Sequence, residues 1–194
     1  MNVPTVPLHK LLHNSFQGIL LNRYQDHQGE LYSIINVRNL EYIDVSGELS
    51  RVPIKVFNLQ HQVICGDVIV SLRGTSLKGS VVPSKIQGSL AGQNLAVLRV
   101  NPELIEPGYL AVVMRSQWLQ KKIAPLYMQS TGTQSLSLSQ IRKLDIPLPS
   151  LVTQQQIIEL FCATEKVTQI AQEMIVARQQ LAESAFINVI EGKL

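Results

Sequence analysis

Residues 153–191 read TQQQIIELFCATEKVTQIAQEMIVARQQLAESAFINVIE, and this stretch decides the architecture. Its 39 residues contain no Gly and no Pro. Nothing in them stops a helix, and at about 1.5 Å rise per residue such a helix runs about 58 Å. Leu160, Ala163, Val167, Ile170, Met174, Ala177 and Leu181 recur at alternating spacings of three and four, which is the a/d seam of a coiled coil, before Ser184 and Asn188 weaken it. Packing across its own domain would cover only part of that length. A partner helix is therefore expected, and these residues are the candidate dimerisation surface.

Upstream the period shortens. Residues 18–21, 31–37, 52–56, 63–72 and 94–100 are apolar, β-branched runs separated by turn residues, the pattern of strands in a mostly antiparallel sheet or partial barrel. Gly47, Gly66, Gly74, Gly79, Gly88 and Gly92 are expected in the connections, where glycine takes a positive φ at little cost. One helix is expected to start at Pro107, carry Leu110, Val113, Met114 and Trp118 on one face, and end at Pro125. A polar loop over 129–135 and a short amphipathic segment over 138–144 follow. The expected class is α+β: a mostly antiparallel sheet or partial barrel with small helices over residues 1–150, then one long coiled-coil helix over 151–194.

With 45% hydrophobic and 16% charged residues among 194, the chain is not disordered by composition. Two widely spaced cysteines, Cys65 and Cys162, cannot form a disulfide framework and are expected to be reduced. Residues 1–10 carry two prolines and a histidine rather than a basic and then apolar leader, and no apolar run reaches membrane-spanning length, so a cytoplasmic location is expected. Charge is divided unevenly. Residues 1–150 balance at +5 and residues 151–194 at −2, while residues 68–144 alone carry +7. Such a stretch suits either a polyanion or a solvated surface; in the first case each basic group beside a phosphate gains by counterion release.

Catalytic signatures are missing. The stretch from Gly74 to Gly79 has the outer spacing of a phosphate loop, but Ser80 and Val81 stand where Lys and Ser/Thr are required. No G-x-G-x-x-G or G-x-S-x-G occurs. His9, His13, His27 and His61 have no ligand spacing with the cysteines, so no metal is expected, and the carboxylates of the first 150 residues are scattered. No cofactor is expected either. The informative residues are polar and basic ones on loops. Arg73 and Thr75 flank Gly74 at the end of a β-forming run, where a guanidinium can approach a phosphate or a guanine edge; the alternative is an ordinary glycine turn with a solvated arginine. Lys85, Gln87, Gln93 and Asn94 extend that polar region, with Lys78 a further candidate, and side-chain amides can read adenine. Lys121 and Lys122 sit late in the expected helix, where the macrodipole alone would also favour them. Thr131, Thr133 and Gln134 of the polar loop complete the candidate DNA-binding set.

Several strings acquire a joint meaning. GDVIVSLRGT at 66–75, GT at 132–133, residues 138–144 running into IPLP at 146–149, QQQII at 154–158 and the ending FINVIEGKL at 186–194 resemble the recurring motifs of specificity subunits of type I restriction–modification systems. The order resembles that family's target recognition domain followed by its spacer helix, and it spans essentially the whole chain. Such a subunit usually carries two recognition domains and two helices, whereas this sequence has one of each. It resembles a half-length form.

The resemblance implies a non-catalytic subunit that binds double-stranded DNA and docks methyltransferase (modification) subunits, with a restriction subunit as a further possible partner. In the family two domains bind the halves of an interrupted site and the helices set their separation. For one domain and one helix this implies a homodimer reading an interrupted inverted repeat. The Asn/Asp-Pro-Pro-Tyr/Phe motif of an adenine methyltransferase does not occur. The rival reading is a protein-interaction module or decoy that binds the methyltransferase without reading DNA, which would not need the basic loops of 68–144.

Overall fold

A computed structural model describes residues 3–55, 59–74, 76–128 and 135–192. In chain order the elements are β1 (Thr5–Pro7), β2 (Leu12–Gln17), α1 (Leu21–Tyr24), β3 (Gln25–Ile35), β4 (Ser50–Ile54), β5 (Val68–Ser71), β6 (Gly79–Val81), β7 (Leu90–Ala91) and β8 (Leu95–Val100). Then come α2 (Pro107–Arg115), α3 (Gln117–Met128), α4 (Leu138–Arg142), β9 (Asp145–Pro147) and α5 (Leu151–Ile190). The chain divides into two compact units, Met1–Ile158 and Glu159–Leu194.

Among the described residues the first unit is built on three sheets, with no closed barrel. An antiparallel sheet runs β2-β8-β5-β6. A second runs β4-β3-β7, antiparallel between β3 and β4 and parallel between β3 and β7. The pair β1–β9 joins residues far apart in the sequence, Val6 opposite Ile146. Both faces of the four-stranded sheet are covered at its centre, so β5 and β8 are apolar at successive positions instead of alternating. Val68, Val70, Ala96 and Leu98 pack with α2 and α3, while Ile69, Leu95 and Val97 pack with Ile35, Leu40 and Val45 on the other side.

Pro107 starts α2 as expected, but the expected single helix is two. Ser116 breaks it in an extended conformation, with ψ of 141°. Its hydroxyl donates to Val113 O at 2.7 Å and accepts the Leu119 N–H at 3.2 Å, closing one helix and capping the next. Pro125 lies inside α3 rather than ending it. The expected strand at 18–21 is reduced to an isolated parallel bridge of Ile19 with Gly92, followed by the start of α1. Two of the glycines are not in turns of positive φ. Gly79 lies in β6, where a Cβ would stand 2.7 Å from Met114 Cβ, so its role is to let α2 approach the sheet. At Gly92 the φ is not positive either, whereas Gly47, Gly66, Gly74 and Gly88 have the positive φ expected of them.

Polar groups bind the layers together. Asp67, 1% exposed, accepts two hydrogen bonds of 2.9 Å from the Arg99 guanidinium and one from the Ile64 N–H. The hydrogen bond to Asp67 is the main cause raising the Arg99 pKa. Arg115 donates to the carbonyls of Leu40, Glu41, Tyr42 and Gly79, tying the 40–42 segment to β6. At the start of α5 the Ser150 hydroxyl caps the Thr153 N–H at 3.2 Å. Gln154 is wholly buried. It accepts the Glu106 N–H at 2.9 Å and donates to Pro149 O at 3.0 Å and Leu104 O at 3.3 Å.

In the second unit the helix leaves Leu160, Val167, Ile170, Met174 and Leu181 between 48% and 71% exposed. Ala163 and Ala177 are exposed too. Cys65 and Cys162 form no disulfide. Among the described residues no helix is long and apolar enough to cross a membrane, and no cluster of His, Cys, Asp or Glu is arranged to hold a metal.

Candidate nucleic-acid interface

Four segments distant in sequence meet at one end of the four-stranded sheet. The last residue of β2, the turn before β8, the residues after β5 and the approach to α4 are stitched by backbone hydrogen bonds: Gly18 N–H to Leu95 O at 2.9 Å, Leu72 N–H to Asn94 O at 2.8 Å and Leu136 N–H to Leu72 O at 2.9 Å. Arg73 and Ser135 pair across an isolated antiparallel bridge. Between these segments lies an open cleft of about 860 Å³. Its walls carry the side chains of Gln17, Arg73, Gln93, Asn94, Ser137 and Gln140 over an apolar base that includes Leu72, Leu126 and Leu136.

Arg73 is the one charged residue lining the cleft among the described residues. It is exposed, and its side chain has no hydrogen bond or ion pair to the described residues. The strand β5 ends at Ser71, so Arg73 stands just beyond a rigid edge. Gly74, at a φ of 121°, turns the chain there. Gln17 donates from Nε2 to Gln93 O at 3.1 Å, which fixes its amide while leaving the oxygen to accept. Gln140 accepts from the Ser137 N–H and hydroxyl at 2.9 Å each, closing the capping box of α4 and leaving its amide nitrogen to donate. A planar cation beside oriented amides is the donor and acceptor set that can address base edges.

The candidates named from sequence divide. Arg73, Gln93 and Asn94 come together in the cleft. Lys85 and Gln87 lie elsewhere on the surface; Lys85 lines a separate groove, and Gln87 accepts the Cys65 N–H at 3.4 Å. Lys78 is paired with Glu41 at 2.5 Å. Lys122 places its ammonium 4.2 Å from the centre of the Trp118 ring, and Lys121 is exposed on α3. Thr75, Thr131, Thr133 and Gln134 lie outside the described residues. The +7 of residues 68–144 is therefore smaller as a surface charge than as a sum, because Arg99 and Arg115 are committed to internal partners. Sequence reasoning missed Gln17 and Gln140. Their place in the cleft depends on β2 pairing with β8 and on the segment before α4 meeting the end of β5, and neither contact has a local signature.

Residues 29–176 match the family described as type I restriction modification DNA specificity domain. A curated relative, the MjaX specificity subunit of a type I restriction enzyme of Methanocaldococcus jannaschii, is 31% identical over 105 residues, covering 52% of this chain and 24% of that protein. Among solved structures, the HsdS subunit from Thermoanaerobacter tengcongensis superposes with a TM-score of 0.65 at 17% identity, over 86% of this chain and 43% of that one. A chain from a structure of complex assembly and conformational transition of the type I R-M system gives 0.70 at 16% identity, over 93% and 47%. This chain thus spans less than half the length of each.

Proposed function

The chain belongs to the type I restriction–modification DNA specificity family, and from that premise we propose that it is the non-catalytic subunit that reads a DNA half site and brings methyltransferase subunits to it. The observation that carries this is the cleft, where one guanidinium with no partner among the described residues shares an open space with a set of amides. Arg73 is the residue assigned to a guanine edge or a nearby phosphate, and Gln17, Gln93 and Gln140 are assigned to base edges. Lys85 and Lys121 act on phosphates, as does Lys122 in competition with its seat on Trp118. Thr75, Thr131, Thr133 and Gln134 stay in the proposed DNA-binding set on their sequence alone and lie outside the described residues.

Two copies join through α5, using the exposed seam from Leu160 to Leu181. Identical chains present one reading surface twice, so the two-fold axis of the protein is imposed on the DNA and the target is an interrupted inverted repeat. The 40 residues of α5 correspond to about 60 Å. Against a duplex turn of about 34–36 Å, the half-site centres should lie between one and two turns apart. Mapping methylated positions in DNA from cells that carry this chain and its methyltransferase tests the proposal. The expected result is one half site repeated in inverted orientation; two unrelated half sites under this chain alone would overturn the symmetric mechanism.

A further inference from the structure

A second polar surface lies apart from the cleft and joins Lys85, a candidate from sequence, to residues the sequence did not mark. It is a groove of about 690 Å³ walled by Ser33, Arg38, Glu48, Ser50, Arg51 and Lys85. Three of these are cations. Glu48 is the single acidic side chain lining it among the described residues, and it forms no ion pair with any of them. Arg51, opposite Ser33 in the β3–β4 register, is exposed and unpaired among the described residues, as is Lys85. Arg38 is held in place, its Nη2 donating to the Ser50 hydroxyl at 3.1 Å.

That hydroxyl also accepts from Asn36 Nδ2 at 3.4 Å. Asn36 in turn lines a smaller cavity of about 170 Å³ that shares Leu20, Gln93 and Asn94 with the large cleft. Asn36 therefore stands between the two, hydrogen-bonded to the groove's Ser50 and lining a cavity that borders the cleft. From cleft to groove the chemistry changes from amides with one guanidinium to three cations beside Glu48 and two serines. Amides discriminate between base edges, whereas clustered cations attract phosphate without regard to sequence.

We infer that the Arg38–Arg51–Lys85 groove is a phosphate-backbone anchor for the duplex whose bases are read in the cleft, an inference that rests on the DNA-recognition reading above. The division of labour is definite: the groove supplies affinity and register, and the cleft supplies sequence. Arg38 and Arg51 lie outside residues 68–144, so the electrostatic footprint is displaced from the stretch where charge is densest along the chain.

The test titrates a fluorescein-labelled duplex with the full chain over a series of chloride concentrations, using one duplex that carries the mapped target and one with that target scrambled. The triple variant Arg38→Gln/Arg51→Gln/Lys85→Gln should lower the slope of log K against log salt by about 2 to 3, at about 0.9 per lost phosphate contact, and weaken both duplexes alike. Arg73→Gln should lower the slope by about 1 or less and narrow the preference for the target. If far-UV circular dichroism shows the triple variant to be misfolded, Arg51→Gln and Lys85→Gln alone carry the test at about 0.9 each. An unchanged slope, while the unmodified chain still prefers its target, overturns the anchor and leaves the cleft reading standing. An unchanged slope together with loss of co-elution with the methyltransferase assigns the groove to a protein partner and overturns it too. Failure of the unmodified chain to prefer its target over the scrambled duplex overturns the reading on which the inference rests.

Discussion

Replacing Gln154 should cost more stability than any exposed substitution in the long helix. Its amide sits wholly buried at the second turn of α5 and serves three backbone groups, the Glu106 N–H and the carbonyls of Leu104 and Pro149. In Gln154→Ala the Glu106 N–H loses a buried acceptor, worth about 1–3 kcal/mol, and two carbonyls lose net bonds of about 0.5–1.5 kcal/mol each. Leu104 is 41% exposed and its carbonyl can turn to water, so the expected loss is about 3 kcal/mol. In a chain of this size that corresponds to a Tm lower by about 6–12 °C. Urea titration followed through Trp118, the single tryptophan, measures it. Gln154→Glu sharpens the test. A carboxylate still accepts the Glu106 N–H but faces two carbonyl oxygens, while its protonated form can donate to one of them. The folded state therefore favours the neutral form and raises the glutamate pKa above its unfolded value near about 4.3. Relative to wild type, that variant should regain stability below the unfolded value and lose it as pH rises through the folded one. A loss below about 0.5 kcal/mol in Gln154→Ala, or a Gln154→Glu deficit indifferent to pH, would refute the reasoning.

The double variant Val167→Asp/Ile170→Asp, at positions 68% and 48% exposed, should yield monomers whose near-ultraviolet spectrum still reports a folded first unit; light scattering that finds the unmodified chain monomeric at micromolar concentration ends the dimer proposal. Asp67→Ala should lose about 1.5–3 kcal/mol, because the Arg99 guanidinium, a quarter exposed, and the Ile64 N–H lose their acceptor. Asp67→Leu combined with Arg99→Met should lie closer to wild type than either single change, and a double variant as unstable as the sum would contradict a paired-charge origin. Inserting one heptad into α5 should alter the preferred spacer between half sites while leaving the half-site sequence alone, as read by methylation mapping.

Elements whose cause is local were legible in the sequence. The absence of Gly and Pro from 153–191 already dictated α5, and Pro107 already marked the start of α2. The runs at 31–37, 52–56, 63–72 and 94–100 all contribute strands, β3, β4, β5 and β8. The residues at 18–21 read as strand because Ile19, Leu20 and Leu21 are apolar, but tertiary pairing decides: the Ile19 N–H bonds Ala91 O at 2.8 Å and the chain then turns into α1. Ser116 could not be foreseen as a break, since its hydroxyl replaces the helical bonds that continuity would have made. In the candidate site, Arg73 was visible because a charged residue beside Gly ends a β-forming run. Gln17 and Arg51 were not, because a solvent-facing strand residue takes its role from a neighbour chosen by the register. Summed charge misled for a related reason: a sequence does not show that Arg115 is spent on four carbonyls.

The pairing of β1 with β9 has a consequence in time. Val6 meets Ile146, and the Leu8 N–H reaches Leu144 O while the Leu148 N–H reaches Pro4 O, both at 2.8 Å. A ribosome adding about 5–20 residues per second needs about 7–28 s to travel between those partners. Throughout that interval the first strand is an orphan, and even afterwards closing a loop of this length costs about 4 kcal/mol of chain entropy. An orphan edge invites pairing with another nascent chain. This one is three residues long, begins just after Pro4 and ends on Pro7. Neither proline has an N–H to offer a stranger, so the strand can wait for its late-arriving partner without becoming a template for aggregation.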